Sequence, residues 1–306
     1  MIYSIKNGIL SSDSGERPAR LAETQYVWIA GAKEMDAVGG ELHLSSALKK
    51  EIQTAGDVSK HESHEGLDFI MLSIPADLYM EKISQRVCLC LTENLLILIC
   101  ENDSVMEKII SDYLSESIKK ASLSRILHQY FDRLTFDDSL ALKKIEQEIS
   151  VLEEALVVSK KSDFFFLVSY RKKLLELKVY YEQLLEIFEA IEQNENELVA
   201  KTELRLFRIL AGRANRLYNG VTNLRDYVTQ VREAYQTQID INLNSVMKVF
   251  TVITSIFFPL TLIVGWYGMN LQMPEFGWRF GYLFVIGLSA ITAVATLLYF
   301  KKKKWF

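Results

Sequence analysis

The tripeptide Gly268-Met269-Asn270 stands between two uncharged segments of the chain. The first segment runs from Val249 to Asn270, and the second runs from Phe280 to Phe300. Carboxamide and carbonyl oxygens are ligands that hard cations accept, and a glycine lets the backbone approach an ion closely. At the end of a membrane helix, these residue types predict a site that binds a cation.

Both uncharged segments are long enough to cross a bilayer, since about 20 helical residues span roughly 30 Å of hydrocarbon. Lys248 precedes the first segment and a run of lysines follows the second, whereas the connecting loop holds Arg279 and Glu275. Cytoplasmic flanks carry the excess of Lys and Arg. The sequence therefore predicts a multi-pass protein of the inner (plasma) membrane, with both termini cytoplasmic and Gly268 to Asn270 outside.

Composition argues against several other classes of protein. The formal net charge is -4 and no basic stripe with interleaved aromatic residues is present, so no nucleic-acid partner is expected. No phosphate-binding Gly-x-x-x-x-Gly-Lys-Ser/Thr loop and no nucleophile-base pair is found, so the sequence predicts neither an ATP site nor an enzyme. Cys88, Cys90 and Cys100 lie in apolar segments and are expected to be core residues.

One further segment, His61-Glu62-Ser63-His64-Glu65, has the residue types of a transition-metal site. Such a site needs three or four ligands held in one place. The segment is polar and expected to be exposed, so it is a weak metal candidate. No role is assigned to His43 or His128.

Residues 1–135 predict a cytosolic α/β domain. Short apolar or alternating runs separated by Gly, Asp and Asn indicate strands, and longer amphipathic runs between or after them indicate helices. The expected strands are Met1 to Ile9, Gln25 to Ala30, Leu67 to Ile74, Gln85 to Leu91 and Leu95 to Cys100, and the expected helices are Ser45 to Thr54, Ser104 to Ile118 and Leu123 to Leu134.

The rest of the chain predicts long helices, because it is rich in Leu, Glu, Lys and Gln and lacks proline up to Phe258. About 70 residues of continuous helix would measure roughly 100 Å, so other copies of the chain are expected to support it. The predicted divisions are a helical hairpin at 136–195, a stalk helix at 196–248, a first transmembrane helix at 249–270, an external loop at 271–279, a second transmembrane helix at 280–300 and a basic tail at 301–306.

A row of polar or small residues follows the last long helix at a spacing of 3.5 residues. This is the period of helices packed side by side around an axis. The row is polar before the membrane and continues inside it with threonine and glycine, interrupted by Met247 and Phe258. Its members are Asn219, Asn223, Asp226, Gln230, Glu233, Thr237, Asp240, Asn244, Met247, Thr251, Thr254, Phe258, Thr261, Gly265 and Gly268.

Two interpretations of the row remain open. In one, its cytosolic part is the solvated side of an amphipathic stalk, and its threonines and glycines allow close helix packing in the membrane. In the other, several copies enclose a water-containing axis, which Met247, Phe258 and the bordering Phe250 narrow by excluding water. Lipid gives no reason to keep threonine and glycine on one line, so the second interpretation is favoured.

At its C-terminal end the chain resembles the CorA family of magnesium channels. Over about the last sixty residues, the resemblance is carried by Phe258-Pro259-Leu260-Thr261, Tyr267-Gly268-Met269-Asn270, Met273-Pro274-Glu275 and the lysine tail with Trp305. Elsewhere the match is architectural. A lone Gly-Met-Asn is weak evidence, but its place between two terminal spans, with this loop and tail, is highly specific.

The resemblance implies a funnel-shaped homopentamer in a lipid bilayer, with a pore built from the first span of each copy. It implies that Gly268, Met269 and Asn270 form the external selectivity filter, with Asn270 holding the ion through its water, and that Glu275 lies in the external loop. Mg²⁺ is then both the transported ion and a candidate regulatory ligand, with no organic cofactor. The pore lining would be Asn244, Met247, Phe250, Thr251, Thr254, Phe258, Thr261 and Gly265, the cytosolic vestibule Asp226, Glu233 and Asp240, and the basic ring at the inner mouth Lys301, Lys302, Lys303 and Lys304.

The chain departs from the family at two places. Phe207-Arg208 is followed by Ile209, where some members carry an aspartate that binds regulatory Mg²⁺, and the external loop is short with few acidic residues. Two alternatives to a magnesium channel stay open: a Co²⁺, Ni²⁺ or Zn²⁺ transporter on the same scaffold, and a membrane-anchored coiled-coil scaffold or sensor without ion flux.

Overall fold

A computed structural model gives the fold of the chain. It describes residues 1–306 except 14, 16–17, 19–23, 32–33, 43–45, 54–58, 76–84, 101–103, 116–119, 159–163, 271–276, 304 and 306. The described part forms two compact units, Met1–Gln230 and Val231–Phe306. The finer divisions at residues 135, 195 and 248 remain predictions.

The first unit contains a mixed seven-stranded sheet with the strand order β2-β1-β3-β7-β6-β5-β4. Strands β3 and β7 pair in parallel, with Trp28 opposite Ile97, and the other neighbours are antiparallel. The strands are β1 (Ile2–Lys6), β2 (Ile9–Asp13), β3 (Gln25–Ala30), β4 (Lys60–His64), β5 (Leu67–Ile74), β6 (Gln85–Leu91) and β7 (Leu95–Ile99).

The central strands are apolar on consecutive positions because both of their faces are buried. All five residues of β7 are buried, as are Val87 to Leu91 of β6. The expected β6–β7 hairpin is confirmed, with Leu91 opposite Leu96 across the Thr92-Glu93-Asn94 connection. Cys88 and Cys90 lie in the core, and burial raises the pKa of the Cys90 thiol to about 12. A thiol held protonated in this way is a packing residue, as the sequence predicts.

The helices of the first unit follow the apolar periodicity of the sequence. Helix α4 has the predicted bounds, α3 is described as far as Leu114 while its predicted end at Ile118 lies outside the described residues, and the short α1 is an addition to the expected elements. Helix α4 packs against α3 and β3, and Phe131 of α4 contacts Phe188 of the later helix α6 (Phe164–Gln193), with ring centroids 4.9 Å apart. The bounds are α1 (Met35–Glu41), α2 (Ser46–Gln53), α3 (Ser104–Leu114) and α4 (Leu123–Leu134).

Three long helices follow, and a fourth ends the chain. Helices α5 and α6 occupy the region of the expected hairpin. Helix α7 begins in the first unit and ends in the second, and it contains Pro259 without a break. Their bounds are α5 (Asp138–Val158), α6 (Phe164–Gln193), α7 (Leu204–Tyr267) and α8 (Gly281–Lys302).

A buried carboxylate joins the start of α7 to the start of α4. Glu203 is 8% exposed and accepts hydrogen bonds from Ser124 Oγ at 2.6 Å and Arg125 Nε at 2.7 Å. Ser122 Oγ also donates to Glu203, and it caps α4 by accepting from the Arg125 backbone N–H at 3.2 Å. These contacts satisfy a buried charge and a helix end together, so they fix the start of α7 against α4 within the first unit.

We therefore expect Glu203→Ala to destabilise the first unit. The substitution leaves the hydroxyls of Ser122 and Ser124 without their acceptor, and hydrogen bonds to charged groups contribute about 1.5–3 kcal/mol each. Because Arg125 is partly exposed and water can take over its contact, we expect a loss of about 2–3 kcal/mol in the free energy of unfolding. Chemical denaturation of the first unit in the full-length protein measures it. Glu195→Ala, at an exposed position, is the control, and an equal effect of both variants would contradict the assignment.

Candidate functional site

The Gly268-Met269-Asn270 segment ends α7 in a tight turn. The Gly268 N–H donates to the Val264 carbonyl at 2.8 Å, and the Met269 N–H donates to the Trp266 carbonyl at 3.3 Å. A Cβ atom on Gly268 would lie 2.9 Å from the Val264 oxygen, closer than real Cβ contacts allow. The turn therefore requires glycine at 268, which is the structural reason for the first residue of the motif.

Asn270 lies just beyond this turn and is exposed. Within the described part of the chain, its carboxamide has no hydrogen-bond partner. Both its oxygen and its amide protons are available to an ion, to ion-bound water or to another copy of the chain. The predicted role of Glu275 concerns a residue outside the described part.

The threonines of the row share one arrangement of hydrogen bonds. The hydroxyls of Thr251, Thr254 and Thr261 each donate to the carbonyl four residues earlier, at 2.8 Å. Thr237, further down the row, donates in the same way to the Glu233 carbonyl at 2.9 Å. Because each hydroxyl proton is used inside the helix, the outward side of the row presents oxygen lone pairs. Such a surface accepts hydrogen bonds and does not donate them.

The membrane part of the row is exposed in the single chain. Met247 is 62% and Phe258 is 73% exposed, and a Cβ built on Gly265 would meet no atom within 4 Å from the rest of the described chain beyond its own helix turn. By contrast, Val252 is buried, and Ser255, Ile256 and Pro259 are half-buried. Val252, Ser255 and Pro259 each lie one position along from a row member, about 100° around the helix, and Ile256 lies two positions along. The remaining predicted lining residues, Asn244, Phe250, Thr251, Thr254 and Thr261, are also exposed.

The cytosolic part of the row lies opposite a buried face. Val221, Leu224 and Val228 are buried within the first unit, and Asp226 between them is exposed. Glu233 and Asp240 continue on the same side of α7, and both are exposed. The row is therefore a solvated surface, as both interpretations of the sequence require, and its three carboxylates stand at intervals of seven residues.

The basic tail begins inside α8. Lys301 and Lys302 form its last residues, and Lys303 caps the helix with its Nζ 5.6 Å from the centre of the Tyr299 ring. The Trp305 N–H donates to the Phe300 carbonyl at 3.2 Å, and the two rings lie 5.1 Å apart. Three lysines are thus held close to the helix end, while Lys304 lies outside the described residues.

Most of the histidine segment lies in a polar edge strand, β4, and the expectation that the segment is exposed is wrong for His61. The side chain of His61 is 7% exposed, and its Nε2 lies 3.9 Å from Asp68 Oδ2 on β5. Burial acts to raise the pKa of Asp68, but the interaction with His61 and a 2.7 Å hydrogen bond from Asn196 outweigh it, so this pKa is lowered. Among the described residues no group of three or more His, Cys, Asp or Glu could hold a metal. Asn196, in the turn between α6 and α7, also donates to the His64 carbonyl at 2.7 Å, so the segment joins the sheet edge to that turn.

Helices α7 and α8 are long and apolar enough to cross a membrane, with mean hydropathies of 2.0 and 2.2 over their most apolar stretches. Core helices of soluble proteins can match this hydropathy, but they are mostly buried. Only 6% of either stretch is buried here. Exposure of this much apolar surface is a property of membrane-spanning segments.

Known transport proteins are similar to this chain over most of its length. A family model for the CorA-like Mg2+ transporter protein matches residues 25–302. The chain is 32% identical to the cobalt/magnesium transport protein CorA of Thermotoga maritima over 292 residues, which cover 92% of this chain and 83% of that protein. It is 26% identical to the magnesium transport protein CorA of Helicobacter pylori over 209 residues, covering 66% and 64% of the two chains.

Solved structures show the same fold. The CorA magnesium transporter from Methanocaldococcus jannaschii superposes with a TM-score of 0.81 at 17% identity, covering 100% of this chain and 99% of that one. The α/β domain, the long helix and the two C-terminal membrane helices thus occur together in one known architecture. On the family match and the identity to the Thermotoga protein, the chain belongs to the CorA-like Mg2+ transporter family, a family of transporters and not of enzymes.

Proposed function

We propose that five copies of this chain form a channel that carries hydrated Mg²⁺ into the cell. Its pore is the polar row of α7, turned toward a common axis. The observation that carries this proposal is the hydrogen bonding of Thr251, Thr254 and Thr261, whose hydroxyl protons all point into their own helix. A wall built this way offers only acceptors at these positions.

Acceptors are what a hydrated divalent cation needs. Mg²⁺ releases its water reluctantly, and the waters around it direct their protons outward. A lining of oxygen lone pairs can therefore hold the hydrated ion without removing its shell. Anions, whose waters point the other way, find no donors at these three positions.

Asn270 and Gly268 would form the outer filter, which would also present hydrogen-bond acceptors to the water around the ion. Five carboxamide oxygens at the mouth accept from the waters of one ion, and the glycine turn places the carboxamides at the end of each α7. The filter selects for a doubly charged, firmly hydrated ion because weakly hydrated ions gain less from ordered acceptors. The external position of the filter rests on the distribution of lysines at the ends of the spans.

The membrane potential supplies the driving force. Moving a double charge inward across about 100 mV is favoured by about 4–5 kcal/mol, so no ATP is required. Asp226, Glu233 and Asp240 would attract the ion into the vestibule, and apolar rings of Met247 and Phe258 would close the path by excluding water. The lysines at the inner end of α8 would both set the orientation and surround the inner mouth.

Flux into proteoliposomes tests the proposal. Purified full-length protein is placed in vesicles that enclose a Mg²⁺-sensitive dye, and a membrane potential that is negative inside the vesicles is imposed. We expect Mg²⁺ entry that grows with the potential. The same vesicles with Mg²⁺ inside show whether the internal ion slows entry, which tests regulation in a chain that carries Ile209 after Phe207-Arg208. A protein that passes no divalent ion would be the scaffold or sensor instead.

Transport of Co²⁺ is the second candidate, because the Thermotoga relative is named for both cobalt and magnesium. Oxygen ligands alone separate these ions poorly. Competition by Co²⁺, Ni²⁺ and Zn²⁺ against Mg²⁺ entry in the same vesicles decides between the candidates. The magnesium assignment predicts that none of the three competes more strongly than Mg²⁺ itself.

A further inference from the structure

A cavity of about 690 Å³ lies within the second unit, between the end of α7 and the start of α8. Its volume falls within the range of sites that bind small organic molecules, about 300–1,000 Å³. Val264 and Tyr267 line it from α7, and Tyr282, Val285 and Ile286 line it from α8. Of the residues that line it, only Gly268 belongs to the polar row, so the space lies beside the proposed ion path and not along it.

The cavity is apolar along the helices and aromatic at its end. Trp278 and Tyr282 line it near the start of α8, the end here called its mouth, and the Trp278 ring lies 5.9 Å from the ring of Phe284. Trp and Tyr gather where a membrane meets water. The mouth is therefore at the level of lipid headgroups, and the apolar walls extend toward the acyl chains.

Arg279 brings a positive charge to this mouth. It is exposed, lines the cavity and forms no ion pair with any residue in the described ranges. Arg279 lies just before the first turn of α8. There the Gly281 N–H donates to the Trp278 carbonyl at 3.0 Å, and the Phe284 N–H donates to the Phe280 carbonyl at 3.0 Å. An arginine fork matches the geometry of a phosphate group.

The positive charge of Arg279 distinguishes between two possible occupants of the cavity, a second copy of the chain and an anionic lipid. After Asp240 the sequence contains one acidic residue, Glu275, which lies outside the described part. The described membrane segments of a second copy thus offer no carboxylate to Arg279. An anionic lipid offers both the missing negative charge and a chain that fits the apolar walls.

We propose that this cavity binds an anionic phospholipid of the leaflet at the Gly268 end of α7. The phosphate contacts Arg279 at the aromatic mouth, and one acyl chain lies along Val264, Val285 and Ile286. The occupied cavity would support the turn at Gly268, which is one of its lining residues. This site does not depend on ion flux.

Fluorescence quenching by brominated lipids tests the proposal, because Trp278 lines the cavity and Trp266 does not. The full-length protein with Trp266→Phe and Trp305→Phe retains Trp278 and the buried Trp28 of the first unit. It is placed in phosphatidylcholine vesicles that contain either brominated phosphatidylglycerol or brominated phosphatidylcholine. We expect phosphatidylglycerol to be preferred at Trp278 by about fivefold, the effect of one basic residue near a membrane surface.

Three controls make the outcome decisive. Arg279→Gln should remove the preference while the protein elutes as the same oligomer, whereas Glu275→Gln should leave it unchanged or increase it. The protein that retains Trp266 in place of Trp278 should show no preference. The proposal is overturned if both lipids quench Trp278 equally, if neither quenches it because a second copy fills the cavity, if Arg279→Gln changes nothing, or if soluble glycerol phosphate displaces the lipid.

Discussion

Replacing Asn270 by alanine should abolish Mg²⁺ uptake while the oligomer stays intact. The substitution removes the carboxamide from every copy at once, and a hydrogen bond to a charged species contributes about 1.5–3 kcal/mol. The loss of two such contacts already reduces uptake by about 100-fold or more. Because the Asn270 side chain has no partner among the described residues, the fold should not change. Dye-reported Mg²⁺ entry into proteoliposomes measures the effect, and light scattering measures the oligomer.

Asn242→Ala is the matched control for this experiment. Asn242 is an exposed asparagine of α7 that lies outside the polar row, so its loss should leave uptake within about twofold of the original value. Normal uptake by Asn270→Ala would refute the filter assignment. Equal losses of uptake in Asn270→Ala and Asn242→Ala would show that the loss comes from a general disturbance of α7 and not from the filter.

Removing one hydroxyl from the row should slow transport without unfolding the helix. Thr254→Val keeps the shape and the branched Cβ of threonine but deletes the oxygen that faces the proposed path. Five lost acceptors should lower Mg²⁺ entry by about tenfold, since one hydrogen bond to a charged group is already worth this factor. The measurement is the initial rate of entry at a fixed potential.

Thr292→Val in α8 provides the comparison. Thr292 is half-buried and donates to the Leu288 carbonyl at 2.8 Å, the same arrangement as Thr254 with Phe250. Both variants lose the same internal hydrogen bond, and only Thr254 belongs to the row. We expect Thr292→Val to retain nearly full transport. Equal rates in the two variants would show that the row does not line the path.

The elements with strong periodicity could be predicted from the sequence alone. Helix α4 has the expected bounds, and the β6–β7 hairpin has the expected partners. In these segments local propensity and burial favour the same structure. The long α7 was also predictable, because its helical pattern passes into the membrane segment without a stop.

Two strands were missed, for different reasons. The prediction joined β1 and the start of β2 into one strand, although Asn7-Gly8 is a strong hairpin signal and both residues have positive φ, 53° and 78°. Strand β4 was missed because Lys60 to His64 are polar. Its place at the sheet edge and the burial of His61 against Asp68 come from tertiary contacts that no local pattern indicates.

Some features of the candidate site could likewise be predicted from the sequence, and others could not. The spacing of the row and the place of Gly268 could be predicted, since they depend on helix periodicity. The Glu203 cluster could not, because its members are about 80 residues apart in sequence, as with Ser124 and Glu203. The Arg279 cavity likewise depends on how two separate helix ends approach each other.

Whether the polar row of α7 faces an axis shared by several copies can be seen in an experimental structure of the full-length protein in lipid nanodiscs with Mg²⁺. We expect five copies, with the Asn270 carboxamides gathered around the axis and Thr254 and Thr261 turned toward it. A structure in which that row faces lipid, or in which the Asn270 side chains lie far from any symmetry axis, would refute the shared pore.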